Sequence, residues 1–233
     1  GKQVVLASMN ITNDVITEYI KHFYRPLTGK LADFRKRAEE EGVPIILQDT
    51  ETVLVSIICA LRPRRILEIG TAVGYSASVF AAACKNCRIT TLESNENKYS
   101  KAVSNIERLG YSNRIEVIKG DASKTLDDMA NRAGCGKEAY YSYDMVFIDA
   151  AKSHYKDYFN KALKLCVCGA VIVSDNVLLK GATASNEYDP SGRYKTSIRR
   201  MRNYLKHITC LDGIYTSVIP AGDGITVSVL QGD

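Results

Sequence analysis

Apolar and polar positions follow two rhythms along this chain. In the first part the apolar residues recur every three or four places, as in VITEYIKHFY, GKLADFRKRAEEEG and DTETVLVSIICALRP, which predicts helices over 11–62. The second stretch opens and closes on glycine and is charged along one face. The third begins at Asp49, read as its cap, and stops before Pro63. Beyond Pro63, short apolar runs alternate with helical patterns. Strands are predicted at 65–69 (RILEI), 88–93 (RITTLE), 114–119 (RIEVIK), 143–149 (YDMVFID) and 169–175 (GAVIVSD). The clearest helix between them is NENKYSKAVSNIERLG, with Tyr99, Ala102, Val103, Ile106 and Leu109 on one face. Strands alternating with helices predict an α/β fold, a doubly wound and mostly parallel sheet. Two further runs, 211–219 and 224–230, flank PAGDG, a hairpin signature that makes the last strand antiparallel. No repeat, low-complexity tract or linker interrupts the chain. It reads as one domain, a helical extension over 1–62 and an α/β core over 63–233.

Composition narrows the setting. The 233 residues are 45% apolar and 24% charged, ordinary for a water-soluble globule. There is no apolar run of about 18 residues, and GKQVVLASMN lacks the apolar core of a signal peptide, so a cytoplasmic chain without membrane contact is expected. The seven cysteines, an odd number lodged in stretches such as SIICAL, fit reduced thiols. CKNC at 84–87 and CVC at 166–168 raise the question of zinc. A zinc ribbon needs two spaced pairs on knuckle turns, whereas both pairs here border predicted helices. The net charge of +5 is compatible with an anionic partner without requiring one.

Ligands of open α/β sheets gather beyond the carboxyl ends of the strands. The first strand leads into RILEIGTAVGYSA and supplies Glu68, Gly70, Gly74 and Ser76. The second ends at Glu93, where a carboxylate can accept both hydroxyls of a ribose. The third is followed by Gly120-Asp121-Ala122, beside which an adenine edge fits, and the fourth ends at Asp149. A P-loop would need Gly-Lys-Ser/Thr, and a dinucleotide site G-x-G-x-x-G. The chain has G-x-x-x-G with an acid just before it. An acidic approach suits a cationic ligand without phosphate, and S-adenosylmethionine is such a ligand. The plainer alternative is that Glu68 and Glu93 merely end their strands.

The chemistry concentrates in VFIDAAKSHY and AVIVSDNVLL, where two apolar strands end in Asp149 and in Asp175-Asn176. In the expected topology these strands are neighbours, so two carboxylates and an amide oxygen converge. That is a hard donor set for Mg²⁺, or for Mn²⁺ or Ca²⁺. A cation beside it would make an acceptor hydroxyl acidic enough to attack a methyl sulfonium. Lys152, three residues after Asp149, is then placed to take the hydroxyl proton or to hold the oxyanion. Taken alone, it would be a solvated lysine on the following helix.

RILEIGTAVGYSA, FIDAAK and VSDNVL, in that order, resemble the cation-dependent O-methyltransferases of the catechol and caffeoyl-CoA type, from about Pro44 to the C-terminus. Within that family the chain is most similar to the bacterial branch that methylates 5-hydroxyuridine at the tRNA wobble position. The resemblance implies a seven-stranded methyltransferase sheet and a homodimer. It implies Asp149, Asp175 and Asn176 as metal ligands, with Lys152 as the base-like residue. The implied cofactor contacts are Ile46, Gly70, Ser76, Glu93, Asp121, Ala122 and Asp149. Some catechol enzymes carry tryptophan just before this lysine, walling the methyl-transfer site. Here the position is Ala151 and the chain has no Trp, which suggests a more open mouth.

RYKTSIRRMRNYLKH bears on the acceptor. Tyr194, Ile198, Met201 and Leu205 form an apolar stripe. Lys195, Arg199, Arg202 and Lys206 form a basic one, joined by Arg193 and Arg200, and no acid lies between 193 and 206. Basic residues with Tyr194 and Tyr204 nearby could hold phosphates and stack a base, although most charge runs are solvated faces and a coenzyme-A tail would suit the patch as well. The preceding LLKGATASNEYDPSG reads as a long, mobile loop able to fold over the acceptor. The expected activity is Mg²⁺-dependent O-methylation of an acidic hydroxyl, the tRNA anticodon region being favoured over a small hydroxylated aromatic or a phenylpropanoid-CoA ester. The alternative of another class is a non-catalytic RNA-binding module.

Overall fold

The computed structural model describes residues 14–133 and 142–232. Residues 11–13, where the helical stretch was expected to begin, lie outside the described residues, as do GKQVVLASMN and Cys135. Three helices come first: α1 (Asp14–Lys21), α2 (Gly29–Glu40) and α3 (Gln48–Leu61). Strands and helices then alternate as β1 (Arg65–Ile69), α4 (Tyr75–Ala83), β2 (Arg88–Glu93), α5 (Glu96–Leu109), β3 (Ile115–Lys119) and α6 (Ala122–Ala133). They continue as β4 (Tyr143–Ile148), α7 (Tyr155–Leu163), β5 (Cys166–Ser174), α8 (Lys195–Ile208), β6 (Ile214–Ile219) and β7 (Ile225–Leu230). The sheet has seven strands in the order β3-β2-β1-β4-β5-β7-β6. The first five are parallel, and β7 inserts antiparallel between β5 and β6, as the PAGDG hairpin implies. The strand order reverses between β1 and β4, so the crevice of this α/β sheet opens at their carboxyl ends.

Both faces of the sheet are covered, which explains its continuous apolar strands. Leu31, Phe34, Leu54 and Ile58 of α2 and α3 join Phe80, Phe147 and Val173 in one core layer. Leu126, Phe159, Met201 and Tyr204 pack with Leu67, Val146 and Ile172 on the other side. No helix among the described residues is long and apolar enough to cross a membrane.

Several local expectations change. α1 ends at Lys21 and buries none of its residues. α3 is capped by the backbone at Leu47 without a side-chain bond. Asp49 lies inside its first turn and accepts a hydrogen bond from Gly222 N at 2.8 Å, tying the β6–β7 hairpin to the helix. In α5, Asn95 caps the start and Gly110 the end, yet Val103 is 39% exposed. Asn105 turns inward instead, donating to the Val73 carbonyl at 2.9 Å. β5 begins at Cys166, earlier than expected, because the strand continues through an irregularity. Its register to β4 shifts between Tyr143 and Met145, and Gly169 takes φ +79°, a left-handed conformation suited to a bulge.

Candidate active site

A cavity of about 540 Å³ opens at the carboxyl ends of β1, β2, β4 and β5. Gly70 makes its floor possible. The residue has φ +104°, and a Cβ there would lie 2.1 Å from the Asp149 carbonyl oxygen, so only glycine lets the β1 turn meet the end of β4. Ile46, Gly70, Glu93, Asp121, Ala122, Asp149, Asp175 and Asn176 all line this cavity. Both Glu93 oxygens are oriented by the backbone: Oε2 accepts from Ala72 N at 2.9 Å and Oε1 from Asn95 N at 2.8 Å. Asp121 Oδ1 accepts from Lys124 N at 2.9 Å at the start of α6.

Glu68, Gly74 and Ser76 do not line the cavity. Glu68 is fully buried beneath it, its two oxygens accepting from the hydroxyls of Ser76 and Thr91. Burial, reinforced by the charges of Asp149 and Glu93, pushes its carboxyl up to about 8. Gly74 packs against α5 at Ala102. These three residues build the turn from below.

At the opposite end of the cavity three segments converge. Lys152 Nζ donates to Asp149 Oδ1 at 2.8 Å, to Asn176 Oδ1 at 2.7 Å and to Tyr155 Oη at 2.7 Å. The Tyr155 hydroxyl in turn donates to the Asp175 carbonyl at 2.9 Å. Tyr155 is buried, and its phenol is held well above the usual tyrosine range by burial and by the charges of Asp149 and Asp175, so it stays neutral and fixes the lysine. Asn176 has φ +57°, a left-handed conformation that asparagine tolerates better than most residues. Gly224 of the hairpin crosses directly over this loop, with its carbonyl accepting from Val177 N at 2.9 Å. A Cβ at Gly224 would strike the Leu178 side chain.

Asp175 is 2% exposed. Burial and the neighbouring Asp149 charge push its carboxyl up to about 7. A carboxylate so placed favours either a proton or a cation. Two carboxylates and an amide oxygen, two of them already converging on one ammonium, fit a hard divalent cation. Among the described residues no cluster of three His, Cys, Asp or Glu side chains could hold a metal. The set here depends on the asparagine oxygen.

A family model described as O-methyltransferase matches residues 31–230. The chain belongs to this O-methyltransferase family. The catechol O-methyltransferase of Niastella koreensis is 30% identical over 229 residues, covering 94% of this chain and all of that protein. Caffeoyl-CoA O-methyltransferase 1 of Zea mays is 29% identical over 184 residues, covering 77% of this chain and 69% of that one. The crystal structure of the O-methyltransferase from Bacillus cereus in complex with SAH superposes with a TM-score of 0.78 at 27% identity, covering 93% of this chain and 97% of that one.

In this O-methyltransferase the basic segment is only partly a free face. Arg193, Lys195, Arg199 and Lys206 are exposed, and Arg200 Nη1 reaches the Ser153 carbonyl at 3.5 Å, next to Lys152. Arg202 is committed elsewhere. It donates to the carbonyls of Thr183 and Ala182 at 2.8 and 3.2 Å and to Asn186 Oδ1 at 2.9 Å. Of the two tyrosines expected beside the basic stripe, one is on the surface. Tyr194 is 55% exposed, and Tyr204 is buried with its hydroxyl 2.6 Å from Ser174 Oγ, so Tyr204 cannot stack a base. The loop after Asn176 is folded: it forms two short 3-10 turns, Leu179–Gly181 and Asn186–Tyr188. Ala182, Thr183 and Asp189 within it are buried.

Sequence reasoning missed several residues. Lys98, Tyr158, Lys180 and Asp223 also line the cavity. Asp223 comes from PAGDG, which carried only a turn signal, and its carboxyl is raised by burial. Arg35 and Glu51, buried beside Ile46, were also missed. Their signal was present: each interrupts an apolar stripe, Leu31/Phe34/Ala38 in α2 and Leu54/Ile58 in α3.

Proposed function

We propose that this chain is an S-adenosylmethionine-dependent, divalent-cation-dependent O-methyltransferase, with Mg²⁺ as the ion of first choice. The observation that carries this reading is that Asp149, Asp175 and Asn176 line one end of the cavity, with Lys152 just outside the lining and bonded to Asp149 and Asn176, while Glu93 and Asp121 line the other. Glu93 would receive the ribose hydroxyls, Asp121 and Ala122 the adenine edge, and Ile46 and Gly70 the middle of the cofactor. S-adenosylmethionine supplies a methyl carbon bound to a positively charged sulfur. Asp149, Asp175 and Asn176 would hold the cation, which supplies the charge that makes a nearby hydroxyl acidic. Lys152, fixed by Tyr155, would stabilise the oxygen that is left or, having first given up its own proton, take the hydroxyl proton. In methyl transfer the acceptor oxygen would bond to that carbon as the carbon-to-sulfur bond broke, leaving the electron pair on a neutral sulfur. A binding module would need none of Asp149, Lys152, Asp175 and Asn176. Calorimetric binding of S-adenosylhomocysteine, with turnover abolished by EDTA and restored by Mg²⁺, tests the reading. Turnover indifferent to EDTA removes the metal.

The acceptor we favour is 5-hydroxyuridine in the anticodon region of tRNA. Supporting it are the open mouth at Ala151, Lys180 on the cavity wall, the exposed Lys195 and Arg199 on the helix that touches the Lys152 turn, and the exposed Arg193 just before that helix. A small catechol or a caffeoyl-CoA-like ester is the second reading, favoured by the names of the relatives. Mass spectrometry of tRNA nucleosides from a deletion strain decides between them: 5-hydroxyuridine should accumulate as 5-methoxyuridine disappears, and retained 5-methoxyuridine excludes the tRNA acceptor. We also infer a homodimer that covers the exposed side chains of Tyr19, Phe23, Leu27 and Leu47. Sedimentation as a monomer would remove that inference.

A further inference from the structure

Arg35 and Glu51 are the most deeply buried ion pair among the described residues, with side chains 6% and 2% exposed. Arg35 Nη2 donates to Glu51 Oε2 at 2.7 Å and to the Ile46 carbonyl at 2.8 Å. Its Nε lies 3.1 Å from the hydroxyls of both Tyr24 and Tyr75, and Nη1 donates to Glu39 Oε1 at 3.0 Å. The two tyrosines then close the network onto the acid, Tyr75 Oη donating to Glu51 Oε2 at 2.7 Å and Tyr24 Oη to Oε1 at 2.8 Å. The guanidinium carbon sits 4.9 Å from the centre of the Tyr75 ring, and Phe34 packs edge-on against that ring.

What this network connects matters more than its own stability. Ile46 lines the cavity. Tyr75 opens α4, between Gly74 and the Ser76 that binds Glu68. One guanidinium therefore grips both the 44–47 segment and the turn after β1, and both segments line the cavity. A buried ion pair is seldom more stabilising than apolar residues of the same volume. Its distinctive property is directional: the guanidinium plane sets where the Ile46 carbonyl and the Tyr75 hydroxyl can stand.

We propose that Arg35, Glu51 and Tyr75 are positioning residues that set the spacing between the Ile46 wall and the β1–α4 turn, and thereby the affinity for the cofactor. The proposal rests on the S-adenosylmethionine reading of the cavity. Tyr24 extends the same network to the segment after α1, so that segment is held by the group that sets the wall.

The test compares the full chain with Arg35→Met, Glu51→Leu, the double variant Arg35→Met/Glu51→Leu, and Tyr75→Phe. Thermal midpoint and the Kd for S-adenosylhomocysteine are measured on each. The single charge variants should lose stability because each strands the other charge. The double variant should regain most of it, yet bind S-adenosylhomocysteine about tenfold more weakly, a loss comparable to one charge-assisted hydrogen bond. Its KM for the cofactor should rise with kcat held within about twofold, the pattern of lost ground-state binding. Tyr75→Phe leaves the ion pair intact and should weaken binding several-fold without a large stability change; this variant decides the matter if the double variant does not fold. Wild-type affinity in Tyr75→Phe, or in a stable double variant, overturns the proposal. Failure of the unaltered chain to bind S-adenosylhomocysteine overturns the cofactor reading, a distinct result.

Discussion

Two groups of charged side chains flank the cavity, and they differ in balance. Around Arg35 and Glu51, one cation meets one buried acid, and both Glu51 oxygens receive donors from Arg35, Tyr24 and Tyr75. At the sheet tips Lys152 faces Asp149 and Asp175, with Asp223 near enough to raise Asp175 further. In the first cluster the buried charges cancel, and the second acid, Glu39, reaches Arg35 from a half-exposed position. The second carries surplus negative charge in a poorly hydrated place, which is costly unless something positive or protic is bound. Balance is what would separate a wall-shaping cluster from a ligand-recruiting one: both contain an ion pair, but the Arg35–Glu51 pair is buried, whereas the Lys152 and Asp149 side chains are 25% and 32% exposed.

The largest expected effect is at the unbalanced cluster. Asp175→Ala should lower kcat/KM on the order of 10³-fold, the worth of ~4 kcal/mol of barrier, while the Kd for S-adenosylhomocysteine stays nearly unchanged. Full activity in that variant would erase the distinction between the clusters. Lys152→Met should cost about 10²-fold or more in kcat, the usual contribution of a positioned acid–base group. Mg²⁺ binding measured by calorimetry should survive that change.

The balanced cluster should answer with stability. Glu51→Gln strands the Arg35 charge and should cost about 3 kcal/mol, read as a fall in Tm. A variant that melted with the wild type would show that the pair is not as desolvated as its burial implies.

The effect of pH is smaller and has a definite sign. Asp175 and Glu68 hold their protons up to about 7 and about 8, well above unfolded carboxyls. Between about pH 4 and pH 8 the folded chain therefore binds more protons than the unfolded one, and stability should fall as pH rises. A cation at Asp175 would relieve that loss, so the Tm gain from added Mg²⁺ should be larger at about pH 8 than at about pH 5. An equal gain at both would separate Asp175 from the cation. The smallest expected effect is from Arg202→Met. Releasing the carbonyls of Ala182 and Thr183 should raise the acceptor KM a few-fold and leave the cofactor KM alone; a change in both would show that the loop and the cofactor site are not separate.

Much of this was legible in the chain itself. RILEI and RITTLE were predicted with the boundaries that β1 and β2 have, because short runs rich in β-branched and apolar residues between helical patterns mark strands. Asp149, Asp175 and Asn176 stood out because a polar residue at the end of such a run has no packing reason to be there. Tyr204 misled because helical spacing cannot say which of two adjacent apolar stripes faces the core. Arg202 misled because a basic stripe looks the same whether its partners are water or the carbonyls of a loop folded beneath it.

The sequence by itself determined the alternation of strands and helices, the antiparallel hairpin and the acids at the strand ends, since periodicity and strand-end chemistry are local properties. Only the tertiary structure decided that Arg35 and Glu51 meet, that Glu68 lies under the cavity floor, and that Asp223 reaches the cavity. These depend on contacts between residues far apart in the chain, and a residue's partner across such a distance leaves no mark in the residues beside it.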